Sequence, residues 1–276
     1  MSRDNTPKSK LAEKLRQVSV GPVGKVGFLP KAAVAPPALL LVVALSEAAP
    51  ELVKAAVQGG ADALVVRIST QADVEGEEPI LRGVIAAAGD CPCGVLPQGS
   101  NGLGAKQLEA MKTIGFDFVS VSAHDSPAVL FVSEIGKMLA LDYADDWNVI
   151  RALNELPVDC IQASIVTPEG FSKPFGVREA LYLKALSMVL NKPVVVRGER
   201  GIEPKDIASL FEIGVEGLIV DATVTGSDKQ TIHSVTSAYR QAIQAIDVTK
   251  RRRRADVVPT IPQPSRGQEE EEWEPD

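Results

Sequence analysis

Gly214-Val215-Glu216-Gly217-Leu218-Ile219-Val220 is the stretch on which the fold turns. A glycine able to end a helix is followed by an apolar residue, an acid and a run of strand length. The same order recurs at Gly60-Ala61-Asp62-Ala63-Leu64-Val65-Val66 and at Gly115-Phe116-Asp117-Phe118-Val119-Ser120-Val121. A looser copy stands at Pro157-Val158-Asp159-Cys160-Ile161.

Working outward from these copies, apolar runs of strand length alternate with helical stretches from Pro37 to about Ile246. The candidate strands are Leu39–Leu45, Ala63–Ile68, Gly94–Pro97, Phe118–Ser122, Lys137–Leu141, Cys160–Ala163, Pro193–Arg197 and Gly217–Val220. Helices are expected over Pro50–Gln58, Glu78–Ala88, Ala105–Ile114, Ser126–Ile135, Ala144–Leu156, Val177–Leu190, Pro204–Ile213 and Lys229–Ile246. The repeated motif falls at every even strand. Strand–helix alternation with short links implies a parallel sheet, and eight such units close a barrel. The fold class expected is therefore α/β, a (β/α)₈ TIM barrel over residues 38–247. A short N-terminal extension, residues 1–37, precedes it, with a helix at Leu11–Val18. The repeated acids Asp62, Asp117, Asp159 and Glu216 sit at strand starts, the end of a barrel that serves stability.

Residues 248–276 break the pattern. Lys250-Arg251-Arg252-Arg253-Arg254 is followed by Pro259, Pro262 and Pro264 and then by Glu269-Glu270-Glu271-Glu272-Trp273. Such a segment buries too little to order itself, and a disordered charged tail is expected. It reads either as a solvated linker or as a segment that recruits a partner.

Composition narrows the function classes. The net charge of -7 argues against a general nucleic-acid-binding surface. The longest apolar run, Ala38–Leu45, is well short of the roughly 20 residues of a membrane span. Met1–Lys10 has no apolar h-region, and Cys91, Cys93 and Cys160 make no disulfide framework. A cytoplasmic protein is expected, its cysteines acting as small packing residues. The sequence leaves open whether the chain forms a homo-oligomer.

A barrel of this kind works at the carboxyl ends of its strands. There the sequence delivers Arg67, Gln98, Ser122, His124, Asp125, Asp142, Gln162, Ser164, Arg197, Glu199, Arg200, Asp221 and Thr223. The only histidines are His124 and His233, and no His–carboxylate spacing suggests a metal site. No lysine stands at a strand end in the manner of a Schiff-base nucleophile. His124 beside Asp125 could act as a general acid/base pair, or Asp125-Ser126-Pro127 could simply open a helix.

The most specific stretch is Pro193-Val194-Val195-Val196-Arg197-Gly198-Glu199-Arg200-Gly201-Ile202-Glu203-Pro204-Lys205-Asp206-Ile207, followed by the Gly214 repeat and Asp221-Ala222-Thr223. It resembles the seventh and eighth units of the phosphate-binding, aldolase-type barrels, a group that includes flavin-linked barrels, sugar-phosphate epimerases and thiamine-phosphate synthases. The resemblance implies that the loops after both strands hold a phosphate against backbone N–H groups and a helix N-terminus. On that pattern Gly198 and Gly201 match the seventh-strand turn and Thr223 lies in the second loop.

The function implied is a small-molecule enzyme: a lyase, an isomerase or a flavin-linked oxidoreductase acting on a phosphorylated or otherwise anionic substrate. Arg67, Gln98, Arg197, Gly198, Arg200, Gly201 and Thr223 would bind it, and His124, Glu199 or Asp142 would move protons. No residue pattern names a cofactor. The other class is a non-catalytic barrel that serves as a binding or assembly module through its tail. Asp221 departs from the pattern, because a carboxylate there repels a phosphate. Arg197 decides the matter: paired with Asp221, it leaves the loops closed to phosphate.

Overall fold

The computed structural model describes residues 9–20, 36–69, 74–98, 104–132, 134–142, 146–165, 174–199 and 201–248. Eight parallel strands close a barrel in chain order. They are β1 Leu40–Leu45, β2 Ala63–Ser69, β3 Cys93–Gln98, β4 Phe118–Val121, β5 Gly136–Leu141, β6 Cys160–Ala163, β7 Val194–Arg197 and β8 Gly217–Val220. The ring closes through β8 and β1, with Leu40 opposite Gly217 and Val43 opposite Val220. The helices are α1 Lys10–Val20, α2 Pro50–Gln58, α3 Val74–Ala88, α4 Ala105–Ile114, α5 Trp147–Ala152, α6 Val177–Val189, α7 Ile207–Ile213, α8 Ala222–Thr225 and α9 Lys229–Gln244.

Each strand runs apolar because both of its faces are covered. Leu41, Val43, Leu64, Val66, Val194, Val196, Leu218 and Val220 face the helices in the larger core. Leu40, Val42, Ala63, Val65, Phe118, Met138, Cys160, Val195 and Ile219 form a second core inside the barrel. Phe118 is the largest side chain there, and Gly94 makes room for it. A Cβ on Gly94 would lie 2.3 Å from the Phe118 ring.

Three of the repeated acids stitch neighbouring strand starts. The Asp62 carboxylate accepts from the Leu41 N–H at 2.9 Å, Asp159 from Lys137 N–H at 2.8 Å and Glu216 from Val194 N–H at 2.8 Å. In each case the acid's own N–H donates back to the carbonyl of the same residue. Asp117 keeps the backbone half of the clamp, to Cys93, but its carboxylate accepts from the Lys10 and Leu11 N–H groups at 2.8 and 2.9 Å. It thereby caps α1, whose first N–H groups have no partner within the helix. Leu11 and Leu15 of α1 enter the inner core. The helix is thus a plug in the barrel floor, not a mere part of an extension that precedes the barrel.

Two expected helices are shortened. Ser126–Ile135 forms only a 3₁₀ segment at Pro127–Phe131. Val129, Phe131 and Val132 are poor helix formers, and Glu134 takes φ 63° to turn the chain into β5. Ala144–Leu156 contains α5 and a 3₁₀ turn at Leu153–Glu155. The Asp146 carboxylate accepts from the Asn148 N–H and sets the helix start at Trp147. In the other direction, α3 begins at Val74, a turn before the expected Glu78, and accommodates Pro79. Cys93 and Cys160 are buried and Cys91 is half-buried; burial pushes the Cys91 thiol up to about 11. The tail expected beyond residue 248 lies outside the described residues. No described helix is long and apolar enough to cross a membrane.

Candidate functional site at the carboxyl mouth

Side chains alternate across a strand, so the inner core defines which mouth residues point inward. Arg67 follows Val65 on β2, Arg197 follows Val195 on β7, and Asp221 follows Ile219 beyond β8. The mouth is therefore supplied directly by the period of the buried strands.

Arg197 and Asp221 form its tightest unit. Arg197 Nε and Nη2 both donate to Asp221 Oδ2, at 3.1 and 3.0 Å. Asp221 is fully buried, and its other oxygen accepts from the Thr223 N–H at 2.9 Å and from the Thr223 hydroxyl. A carboxylate of the chain itself thus stands at the start of α8 with a guanidinium against it. A phosphate placed there would meet that carboxylate. Thr223 is committed to Asp221 through both its donors.

Glu199 completes the cluster. Its Oε1 lies 3.3 Å from Arg197 Nε, and its Oε2 accepts from the Ser164 hydroxyl at 3.3 Å. It is 8% exposed. Burial raises its pKa above the ordinary carboxylate value, Arg197 and Ser164 oppose that rise, and the Asp221 and Asp142 charges add to it. Burial is the largest of these influences.

The turn that carries Glu199 is held from several sides. The Gly198 N–H donates to the Ile219 carbonyl at 2.8 Å, and a Cβ there would sit 3.1 Å from Leu218 Cδ1. A side chain at 198 would press on Leu218 and on the Ile219 carbonyl, and the Gly198 amide is engaged within the protein. Gly201 is buried, and its carbonyl accepts from the Phe175 N–H at 2.7 Å. The Tyr239 hydroxyl donates to the Ile202 carbonyl at 2.6 Å, and burial pushes that phenol up to about 12. Arg200 lies outside the described residues.

The remaining candidates lie around the rim. Arg67 is half-buried on the inward face of β2, and its Nε is buried without a hydrogen-bond partner. Gln98 is exposed at the end of β3, in register with Ser69. Asp142 is exposed beyond β5, and its carbonyl accepts from the Tyr182 hydroxyl at 3.2 Å. His124 is exposed after β4. Its expected partner Asp125 instead accepts from the Ser122 N–H at 2.7 Å, closing the turn on which His124 stands. Among the described residues no group of three His, Cys, Asp or Glu is placed to hold a metal ion.

Ser164 and Asp221 are legible in the sequence as rim residues but not as members of this cluster. Asp221-Ala222-Thr223 is a helix-capping sequence, which is a signal for the role of Asp221. Ser164 carries no signal of its own, because its role comes from β6 lying beside β7.

Solved structures match the barrel in fold. Thiamine phosphate pyrophosphorylase from Pyrococcus furiosus superposes with a TM-score of 0.59 at 18% identity, covering 75% of this chain and 96% of that one. What the two share is the closed, eight-stranded parallel barrel. A mutant tryptophan synthase α-subunit from Pyrococcus furiosus gives 0.57 at 11% identity, over 74% of this chain and 98% of its own. A native KDPGal structure gives 0.57 at 16%, over 79% and 98%. At these identities the likeness concerns the fold alone. No protein-family model matches the chain, and no curated protein matches it.

Proposed function

We propose that this barrel is a small-molecule enzyme of the lyase or isomerase kind, working at its carboxyl mouth, with Glu199 moving a proton on an anionic substrate. The observation that carries the reading is the buried Glu199 carboxyl between Arg197 and Ser164, with its pKa raised by burial. A carboxyl whose hold on its proton is strengthened by burial, inside a hydrogen-bonded cluster at the mouth, is a candidate for proton transfer. Arg197 then acts chiefly to orient Glu199 and to balance Asp221. His124 and Asp142, both exposed, are secondary candidates for proton transfer.

The substrate's anionic group is not assigned to the loops after β7 and β8. Asp221 already fills the anion position beside Arg197 and Thr223, and the Gly198 N–H is engaged with Ile219. Calorimetric titration with candidate anions, run in buffers of different ionisation enthalpy, tests the reading. Binding should be accompanied by proton exchange in the wild type and by none in Glu199→Gln. Equal proton exchange in both proteins would remove Glu199 from the mechanism.

An assembly module is the second reading, and one feature favours it. Val177, Leu181 and Met188 of α6 are 78%, 66% and 73% exposed, an unusual apolar outer face for a barrel helix. Light scattering on the purified chain separates the two: a monomer that binds small anions supports the enzyme reading.

A further inference from the structure

The outer wall of the barrel is uneven. Among the described residues, the large apolar side chains left exposed are Ile80 on α3 and Phe131, Trp147, Val149, Val177, Leu181 and Met188. The last six all follow β4, β5 or β6, so they share one sector of the wall. In that sector the wall is also low. The 3₁₀ segment Pro127–Phe131 and α5 hold five and six residues, where α2, α3 and α4 hold nine, fifteen and ten. Next to them, α6 is apolar on both sides: Leu183 and Leu186 are buried, while Val177, Leu181 and Met188 face outward. A helix apolar all round is one that is covered all round. By contrast, α9 buries Ile232, Tyr239 and Ile243 and exposes His233, Ser234, Gln241 and Gln244. Lys184 stands in line with the outward stripe of α6, but its ammonium donates to the Ile213 carbonyl at 3.0 Å. Its charge is thereby turned toward the end of α7, and its alkyl stem remains available to the stripe.

We infer that this sector is the interface for a second copy of the chain, packed α6 against α6 about a twofold axis. The inference goes beyond the reading of the mouth and does not depend on it. Charge selects the occupant. Residues 146–155 and α6 carry three basic side chains, Arg151, Arg178 and Lys184, and three acidic ones, Asp146, Glu155 and Glu179. A surface without net charge can face its own image, even on a chain whose net charge is -7. The chain's own basic run Lys250–Arg254 and acidic run Glu269–Glu272 each call for a surface of opposite sign, which this sector does not offer. Area sets the strength. The six side chains expose on the order of 600 Å², against roughly 800 Å² that each partner buries in a standard interface. That lower end corresponds to a reversible dimer with a Kd on the order of micromolar, so dilution yields the monomer with its mouth complete. Symmetry sets the pairs. Val177 and Met188 lie at opposite ends of the stripe, with Leu181 and Lys184 between them. Two antiparallel copies of α6 set Val177 against the partner's Met188, and the twofold axis repeats the pair. Trp147, its ring 6.1 Å from that of Tyr182, extends the surface onto α5.

Sedimentation of the full chain over a range of concentrations tests the interface. The mass should rise from one chain toward two, and no further, through the micromolar range. Val177→Glu and Met188→Lys should each weaken association about tenfold or more, because a charge is then buried against an apolar side chain. Both positions are exposed in the single chain, so the melting temperature of the dilute variants should stay near that of the wild type. The double variant brings the introduced carboxylate against the introduced ammonium of the other copy and should recover most of the lost affinity. A mixture of the two single variants should likewise associate better than either alone. Should one of the pair fail to fold, Leu181→Arg at the middle of the stripe takes its place and should abolish the dimer. A chain truncated after Val248 should dimerise like the wild type. A full chain that stays monomeric well above the micromolar range overturns the inference. So do single variants that associate like the wild type, a double variant no tighter than the singles, or a truncated chain that no longer dimerises, which would make the tail the occupant. Proton exchange at Glu199 is measured on the dilute monomer, so the interface and the reading of the mouth fail separately.

Discussion

The two ends of this barrel use the same side chains to opposite effect. At the floor, Asp62, Asp159 and Glu216 accept from the backbone N–H of a neighbouring strand start, and Asp117 accepts from the first N–H groups of α1. These carboxylates are tied to backbone that cannot move away. At the mouth, Asp221 and Glu199 gather around one arginine, Glu199 is held above its ordinary pKa by burial, and Arg67 keeps a buried Nε without an acceptor. The floor satisfies its polar groups locally. The mouth retains charge that has been desolvated and only partly matched. Under the proposed function, the first end serves stability and the second serves chemistry.

The largest effect is expected from breaking the mouth's own ion pair. Asp221→Ala leaves Arg197 without its main partner and α8 without its cap, at a cost of about 3–5 kcal/mol. Thermal or denaturant unfolding measures it, and a loss no larger than that of a surface substitution would mean that the pair is structurally idle. Next comes the plug. Leu15 is fully buried in the inner core, and Leu15→Ala should cost about 2–5 kcal/mol. A much smaller cost would show that α1 is not part of the cooperative unit.

A floor acid should matter less than either. Glu216→Ala leaves the buried Val194 N–H without its acceptor, for about 1–3 kcal/mol. If its effect exceeded that of Asp221→Ala, the contrast between the two ends would be reversed.

The smallest effect has the opposite sign. In the folded chain Glu199 binds its proton more tightly than in the unfolded chain, because its pKa is raised. Its contribution is therefore most favourable below the ordinary carboxylate value and is lost as pH rises from there to the folded value. Glu199→Gln should be slightly more stable than the wild type at neutral pH, and the difference should shrink as the medium is acidified into the carboxylate range. Melting temperatures of both proteins across that range check it. A wild type that gains stability relative to the variant as pH rises through this interval would contradict the burial of the charge.

Much of the fold is legible in the sequence because a buried parallel strand is an uninterrupted apolar run and a helix stop is a glycine. All eight strands lie within a residue or so of the expected spans. The helices after β4 and β5 are shorter than expected, since length between strands says nothing about how poorly Val129, Phe131 and Val132 hold a helix. At the mouth, Arg67, Arg197, Glu199 and Thr223 can be selected by type and strand position. Their partners cannot, because Asp221 and Ser164 reach Arg197 and Glu199 across strand boundaries that only the closed ring brings together.

The sequence by itself determined the alternation, the strand count, the side of each strand that faces inward and the acids at the floor. These are properties of local period and local chemistry, carried by residues close together in the chain. Only the tertiary structure decided that α1 closes the floor, that Asp221 pairs with Arg197, and that Arg67 is left without an acceptor at Nε. Each of those depends on distance between residues far apart in sequence. Electrostatic matching and desolvation respond to that distance, and side-chain period does not encode it.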